Sequence, residues 1–146
     1  MRILIIEDDE TIARQLSGYL EEHGFVAVVS RDGEDGRYLG LEEEYDAVLL
    51  DLGLPELNGI SVLETWRAKG VAVPVIVITA RTSKLETIRG LETGADDYIH
   101  KPFDLGEVLA RLRSVIRRGK QQLKRELSYQ DVVLDSGSGK VFAAGH

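Results

Sequence analysis

The sequence feature that most constrains the fold is a strongly apolar strand that ends in a carboxylate. Ala-Val-Leu-Leu at 47–50 runs without a polar residue into Asp51. A continuous apolar run is typical of a strand buried on both faces, as in a parallel sheet covered by helices. Gly53, Pro55 and Gly59 then turn the chain into a loop. Taken alone, Asp51 is equally compatible with a simple loop or helix cap, but a buried carboxylate requires a compensating partner.

Short apolar runs alternate with helical patterns along the rest of the chain. The predicted strands are 3–6, 25–29, 47–50, 75–79 and 98–100. Apolar residues at helical spacing follow each strand, most clearly in the last predicted helix, which carries Leu105, Val108, Leu109, Leu112, Val115 and Ile116. Five such units predict an α/β domain with a doubly wound, five-stranded parallel sheet.

Polar side chains follow four of these strands, at the edge where doubly wound sheets bind their ligands. The first strand runs into Glu7 and Asp8, the third into Asp51, the fourth ends at Thr79 and the fifth runs into Lys101. Three carboxylates, a hydroxyl and an ammonium are therefore expected at one edge of the sheet. This convergence, which no single residue would establish, indicates a functional site.

The charges of these groups predict the chemistry of the site. Two carboxylates ~4 Å apart near a protein surface repel by roughly 4 kcal/mol, so three require a cation or a proton. The chain has no Cys, and no EF-hand spacing is present, so the oxygen ligands favour Mg²⁺ over Ca²⁺ or a softer metal. Mg²⁺ beside a nucleophilic carboxylate is typical of phosphoryl transfer.

Five ordered motifs resemble one protein family. They are Ile-Ile-Glu-Asp-Asp at 5–9, Leu-Leu-Asp-Leu-Gly-Leu-Pro at 49–55, Val-Ile-Thr-Ala-Arg at 77–81, Gly-Leu-Glu-Thr-Gly-Ala-Asp-Asp-Tyr at 90–98 and Lys-Pro-Phe at 101–103. Residues 1–118 thereby resemble a response-regulator receiver domain, and more narrowly the OmpR/PhoB class of two-component transcription regulators. The resemblance implies the flavodoxin-like strand order 2-1-3-4-5.

The resemblance also implies roles for the residues at the sheet edge. Asp51 is expected to accept a phosphoryl group from a sensor histidine kinase. Asp8 and Asp51 are expected to bind Mg²⁺ directly, Glu7 to bind it through water, and Gly53 to offer its backbone carbonyl.

Three further residues are expected to respond to the phosphoryl group. Thr79 would bind a phosphoryl oxygen, Lys101 would pair with the phosphate, and Tyr98 would turn inward as Thr79 moves. The Lys101-Pro102 peptide bond is expected to be cis.

Phosphorylation is expected to produce a homodimer through the face formed by the fourth predicted helix, the fifth strand and the fifth predicted helix. The family pattern predicts charge pairs of Asp97 with Arg111 and of Asp96 with Arg118. Glu107 would lack its usual basic partner, because Thr87 occupies that position, unless Lys84 or Arg89 substitutes for it.

The C-terminal residues are predicted to belong to a second, incomplete domain. Residues 119–128 indicate a polar linker. Residues 129–146 resemble the N-terminal β fragment of a winged-helix DNA-binding domain, with short strands at 131–134 and 140–143 around a Gly/Ser turn. Promoter DNA would be bound only through the complete output domain.

Three functions are compatible with these observations. A phosphorylation-controlled transcription regulator fits best, and a stand-alone receiver that signals by protein contact is the alternative. A phosphatase of the haloacid-dehalogenase type is disfavoured because Gly53 stands where a second Asp is required. The chain is therefore expected not to be an enzyme beyond slow self-dephosphorylation. The absence of Cys fits a reducing cytoplasm, and no apolar run has membrane length, so a cytoplasmic protein without membrane contact is expected. The formal charge of −7 argues against nonspecific nucleic-acid binding by the whole chain.

Overall fold

The computed structural model describes residues 1–54, 57–80, 88 and 91–137, and side chains as far as residue 125. The chain divides into two compact units, residues 1–115 and residues 116–146. The first unit holds the sheet and every predicted residue of the sheet edge.

The first unit is built on a five-stranded, all-parallel sheet with the order β2-β1-β3-β4-β5, which confirms the predicted fold. Its strands are β1 Arg2–Ile6, β2 Val26–Ser30, β3 Ala47–Asp51, β4 Val75–Thr79 and β5 Asp97–His100. Because β1 pairs with both β2 and β3, the direction of winding reverses between β1 and β3. A ligand crevice is expected at the carboxyl ends of these two strands.

Four helices are described along their length: α1 Glu10–Glu22, α2 Gly33–Glu42, α3 Gly59–Ala68 and α4 Leu105–Gly137. The first three begin at side-chain caps, because Asp9, Asp32 and Asn58 each accept a hydrogen bond from a backbone N–H of the first turn. The predicted helix between β4 and β5 lies mostly outside the described residues. Residue 88 and residues 91–93 of that segment are helical.

Helices cover both faces of the sheet, which explains the uninterrupted apolar runs in the sequence. One face packs Leu4, Leu50 and Val77 against Leu63 and Trp66 of α3. Alternate strand residues point to the other face, where α1 and α4 bury side chains. All five residues of β3 and all five of β4 are buried, so Asp51 and Thr79 extend from strands fixed on both sides.

The prediction for residues 119–134 is wrong in its secondary structure. The predicted linker 119–128 and the predicted strand 131–134 both lie within α4, which ends at Gly137. A started helix gains one hydrogen bond per added residue, and no Pro occurs after Pro102 to stop it. A strand at 131–134 would instead require a partner strand. The second predicted strand, 140–143, lies outside the described residues.

No helix in the described ranges has both the length and the apolar content needed to cross a lipid bilayer.

Close packing of α2 on α3 depends on a glycine. A Cβ atom on Gly40 would collide with the indole ring of Trp66, which is fully buried. The same indole donates a hydrogen bond from Nε1 to the carbonyl of Arg37 at 3.0 Å. The absence of a side chain at Gly40 therefore sets the distance between the two helices.

We expect Gly40→Ala to destabilise the protein and Gly18→Ala to stabilise it. Overpacking a rigid core costs about 1–3 kcal/mol, which exceeds the ~1 kcal/mol that Ala gains over Gly within a helix. Gly18 lies within α1, and a Cβ atom added there would meet nothing within 4 Å, so only the helical gain applies. Urea unfolding followed by the fluorescence of the single Trp measures both changes. Equal midpoints for the two variants would contradict this account of the packing.

Candidate functional site

Three carboxylates meet at the ends of β1 and β3. Glu7 and Asp8 follow β1, and Asp51 is the last residue of the neighbouring strand β3. One oxygen of each lies within 4.8 Å of an oxygen of the other two. Glu7 is only 2% exposed and Asp51 5%, so two of the three carboxylates are largely removed from water.

An ammonium group that follows β5, the strand at one edge of the sheet, reaches this cluster. Lys101 follows β5, and its Nζ lies 2.8 Å from Glu7 Oε1 and 3.5 Å from Asp51 Oδ2. The Lys101-Pro102 peptide bond is cis, as predicted. This contact brings one positive charge to a cluster of three carboxylates.

Backbone N–H groups hold two of the three carboxylates in place. Gly53 N–H donates to Asp51 Oδ1 at 3.1 Å, and Asp9 N–H donates to Glu7 Oε2 at 3.1 Å. The N–H of Glu7 itself donates to the carbonyl of Ser30 at 3.0 Å, which fixes the end of β1 against β2. These short-range bonds orient the oxygens before any ligand arrives.

Burial and charge shift the titration of the site. Burial, together with the nearby charge of Asp51, raises the pKa of Glu7 to about 7, although its hydrogen bond with Lys101 acts in the opposite direction. Burial alone would lower the pKa of Lys101. The hydrogen bond with Glu7 and the charge of Asp51 outweigh it, and the pKa of Lys101 is raised. At neutral pH, Lys101 is therefore charged, and Glu7 carries a proton part of the time.

The three carboxylates suit a hard divalent cation. They offer only oxygen atoms, they lie close enough to share one ion, and a single ammonium does not balance them. Mg²⁺ prefers this setting of one or two carboxylates with water and phosphate oxygens. The predicted ligands Glu7, Asp8 and Asp51 are thus together, and Gly53 lies next to Asp51 through its N–H group.

The other two predicted phosphoryl-responsive residues lie on neighbouring strands. Thr79 is 1% exposed at the end of β4, one residue beyond the register pair of Asp51 with Ile78. On β5, the Tyr98 hydroxyl oxygen is buried and the side chain packs against the core. The Tyr98 ring also contacts the ring of His100, with centroids 5.3 Å apart.

Four of the predicted dimer residues, Asp96, Asp97, Glu107 and Arg111, form ion pairs inside the chain. Arg111 Nη1 lies 3.1 and 3.0 Å from the two carboxylate oxygens of Asp97, and Arg111 Nε donates to Glu107 at 3.1 Å. Asp96 Oδ2 accepts from the backbone N–H of Val75 at 2.8 Å. Arg118 belongs to the second unit and is exposed.

The sequence reasoning missed Arg67. Its guanidinium group donates to the carbonyls of Val71, Val73 and Gly94 and lies 3.5 Å from Asp96. In the sequence it is an ordinary basic residue near a helix end, and only the structure shows that it is partly buried and bonded to three carbonyl groups.

The strand order and the carboxylate cluster define a doubly wound, receiver-type domain, and the comparison with known families agrees. The family model for the response regulator receiver domain matches residues 3–113. The chain belongs to this family.

Two curated relatives are similar to the chain over nearly its whole length. The chain is 43% identical over 145 residues to the transcriptional regulatory protein QseB of Escherichia coli O157:H7, covering 99% of the chain and 66% of QseB. It is 41% identical over 147 residues to the probable transcriptional regulatory protein SilR of Salmonella typhimurium, covering 100% of the chain and 64% of SilR. The chain thus spans less than two thirds of the length of these curated relatives.

Two solved structures share the fold closely. The BeF₃-activated N-terminal receiver domain of Klebsiella pneumoniae RstA is 32% identical with a TM-score of 0.75, covering 80% of this chain and 99% of that one. The receiver domain of the Pseudomonas aeruginosa sensor histidine kinase PA1611 is 31% identical with a TM-score of 0.72, covering 79% and 96%. The latter structure has a magnesium ion coordinated in its active site cleft.

We expect the affinity for Mg²⁺ to fall as the pH is lowered from about pH 8 to about pH 6, because Glu7 must lose its proton when a cation binds. Glu7→Gln should bind Mg²⁺ more weakly but with a flatter pH dependence. Isothermal titration with MgCl₂ at several pH values measures both effects.

Without a divalent cation, a rise in pH has the opposite effect, because it lowers the stability of the folded protein. A carboxyl pKa raised on folding gives stability that is greatest below its unfolded value near 4.5 and is lost as the pH rises through about 7. Thermal unfolding in EDTA should therefore show the wild type losing stability over this range relative to Glu7→Gln. If the wild type instead bound Mg²⁺ with an affinity independent of pH, Glu7 would not be a group that loses a proton when the cation binds.

Proposed function

We propose that this chain is the phosphoacceptor part of a two-component transcription regulator of the OmpR/PhoB class. The observation that carries the proposal is the buried Asp51 carboxylate, which shares one small site with Glu7, Asp8 and the Lys101 ammonium. Asp51 would receive its phosphoryl group from a phosphohistidine of a sensor histidine kinase. The chain itself would not be an enzyme, apart from slow loss of its own phosphoryl group.

The proposed step forms one bond and breaks one. An oxygen of the Asp51 carboxylate attacks phosphorus, the bond from phosphorus to the histidine nitrogen breaks, and the leaving nitrogen keeps the electron pair. Mg²⁺, which we propose is held by Asp8, Asp51, the Gly53 carbonyl and, through water, Glu7, would neutralise charge on the transferring group.

Three further residues of the site, Lys101, Thr79 and Tyr98, would respond to the phosphoryl group on Asp51. Lys101, already 3.5 Å from Asp51, would move from Glu7 toward a phosphoryl oxygen. The hydroxyl of Thr79, at the end of the next strand, would donate to another. Tyr98 lies on β5 two residues before His100, the register partner of Thr79, and we propose that its ring turns inward as Thr79 moves.

Control of transcription is supported by the relatives rather than by a site in this chain. QseB and SilR are transcriptional regulatory proteins that extend beyond the matched region. We propose that promoter DNA is bound through an output domain of the winged-helix kind, and that the protein acts in the cytoplasm, where such DNA is found. A stand-alone receiver stays the alternative.

We expect acetyl phosphate with Mg²⁺ to add one phosphoryl group to the protein, and Asp51→Asn to abolish the addition. An amide is too weak a nucleophile to replace the carboxylate. Intact-mass spectrometry measures the adduct. Asp9→Asn is the matched control, because Asp9 neighbours the cluster but caps α1, a task that Asn also performs. An adduct on Asp51→Asn, or full labelling in EDTA, would overturn the proposed role.

We also propose that activation produces a symmetric dimer through Asp96, Asp97, Glu107, Arg111 and Arg118. In the monomer, Arg111 is already paired with Asp97 and Glu107, so dimerisation would exchange or share these pairs instead of creating new ones. Exposed pairs contribute only ~0.2–1 kcal/mol each. They would fix the register of the dimer more than its strength.

Charge reversal tests this interface. We expect Arg111→Glu to weaken the beryllofluoride-induced dimer, and a second change, Asp97→Arg, to restore part of it. Analytical ultracentrifugation with and without beryllofluoride gives the dimer constants, and melting temperatures show any damage to the monomer. Arg14→Glu is the control, because Arg14 forms a similar exposed pair with Glu10 on α1. An unchanged dimer constant in Arg111→Glu would show that the interface lies elsewhere.

A further inference from the structure

Arg67 joins the end of α3 to the segment that follows it and to a turn 27 residues further along the chain. It lies in the last turn of α3, and its Nη1 donates to the Val71 carbonyl at 2.7 Å. Its Nη2 donates to the Val73 carbonyl at 2.9 Å and to the Gly94 carbonyl at 2.8 Å, and Nε also donates to Gly94 at 3.2 Å. One side chain thus fixes the approach to β4 and the turn that leads into β5.

Gly94 is shaped to receive this guanidinium group. Its φ of +122° is accessible to glycine but strained for other residues. A Cβ atom there would lie 2.8 Å from Arg67 Nε, so a side chain would also push the guanidinium away. Both the backbone conformation and the space at Gly94 are therefore matched to Arg67.

The turn held by Arg67 leads directly into the proposed dimer face. Asp96 follows Gly94 by two residues, lies 3.5 Å from Arg67 Nη2 and accepts the N–H of Val75. The N–H of Asp96 donates to the Val75 carbonyl at 2.8 Å, which sets the register of β5 against β4. Arg67 is partly buried, with 22% of its side chain exposed, so water replaces these bonds less well than it would for a fully exposed arginine.

The other end of α3 contacts the phosphoacceptor strand. A Cβ atom on Gly59, the first residue of α3, would lie 2.5 Å from the Asp51 carbonyl oxygen. Gly59 N–H also donates to the Leu52 carbonyl at 3.3 Å. The helix therefore spans from the backbone of Asp51 to the guanidinium group that holds the turn before β5.

We infer that Arg67 is a positioning residue that couples the state of Asp51 to the dimer face through α3. This inference rests on the proposed function, because it assigns a route by which phosphorylation would reach Asp96 and Asp97. A displacement of the loop after Asp51 moves the start of α3. Since α3 is one hydrogen-bonded helix, its last turn moves with it, and Arg67 transmits that movement to the turn at Gly94.

Substitution of Arg67 tests the route. Arg67→Met keeps the apolar stem and removes the donors, and Arg67→Lys keeps the charge with fewer, differently directed donors. We expect both variants to keep their Mg²⁺ affinity and acetyl phosphate labelling rate within about twofold, because the carboxylate cluster is untouched. The beryllofluoride-induced dimer should weaken about tenfold in Arg67→Met and by less in Arg67→Lys.

Two controls separate coupling from loss of stability. Arg37→Met removes a partly buried arginine of α2 whose side chain pairs only with Glu34 among the described residues. Leu20→Ala removes a fully buried side chain of α1, and so destabilises the core away from α3 and the Arg67 contacts. Neither control should change the dimer constant by more than about twofold. If Leu20→Ala weakens the dimer as much as Arg67→Met at an equal melting temperature, the effect is one of stability and the inference is wrong.

A second measurement keeps the inference separate from the dimer proposal. We expect beryllofluoride to change the amide hydrogen exchange of residues 94–98 in the wild type, and this response to be lost in Arg67→Met. If the wild type stays monomeric but shows this exchange pattern, the dimer proposal fails and the coupling stands. An exchange response that is absent in the wild type, or undiminished in Arg67→Met, would overturn the coupling.

Discussion

Crowding of negative charge at the ends of β1 and β3 is the constraint on which the rest of the structure depends. Three carboxylates lie within one ion's reach because Glu7 is partly protonated, Lys101 binds Glu7 and Asp51, and backbone N–H groups bind the other oxygens of those two side chains. The sheet order makes this possible, since it places β1 and β3 side by side at the point where winding reverses. Helices on both faces then hold the strand ends rigid.

Much of this arrangement was predictable from the sequence, because it follows from local patterns. The apolar runs located the five strands within a residue or two, and their alternation with helical patterns gave the parallel sheet. Asp51, Thr79 and Lys101 were predictable as neighbours because the carboxyl ends of parallel strands share one edge. The strand order itself came from the family resemblance, since periodicity does not encode which strands are adjacent.

The parts that sequence reasoning did not reach depend on distant contacts. Val-Val-Leu at 132–134 has strand propensity, but helix continuation from Leu105 prevails there because no partner strand is available among the described residues. Arg67 has the sequence context of a solvated helix end, and its three carbonyl partners are identified only by the folded backbone. The Arg111 pair was predicted for a dimer, whereas its partners already lie within the chain.

The net charge of the site, to which Lys101 contributes the one ammonium, would differ between the unmodified and the phosphorylated state. Three ionised carboxylates and one ammonium leave two negative charges, which one divalent cation would neutralise. A phosphoryl group on Asp51 would replace a monoanion by a dianion and restore one excess negative charge. With the cation bound, the unmodified site would then have no net charge, and the phosphorylated site would have a net charge of about −1. That uncompensated charge, more than any change of shape, would draw hydroxyl and N–H dipoles inward and give the two states different energies.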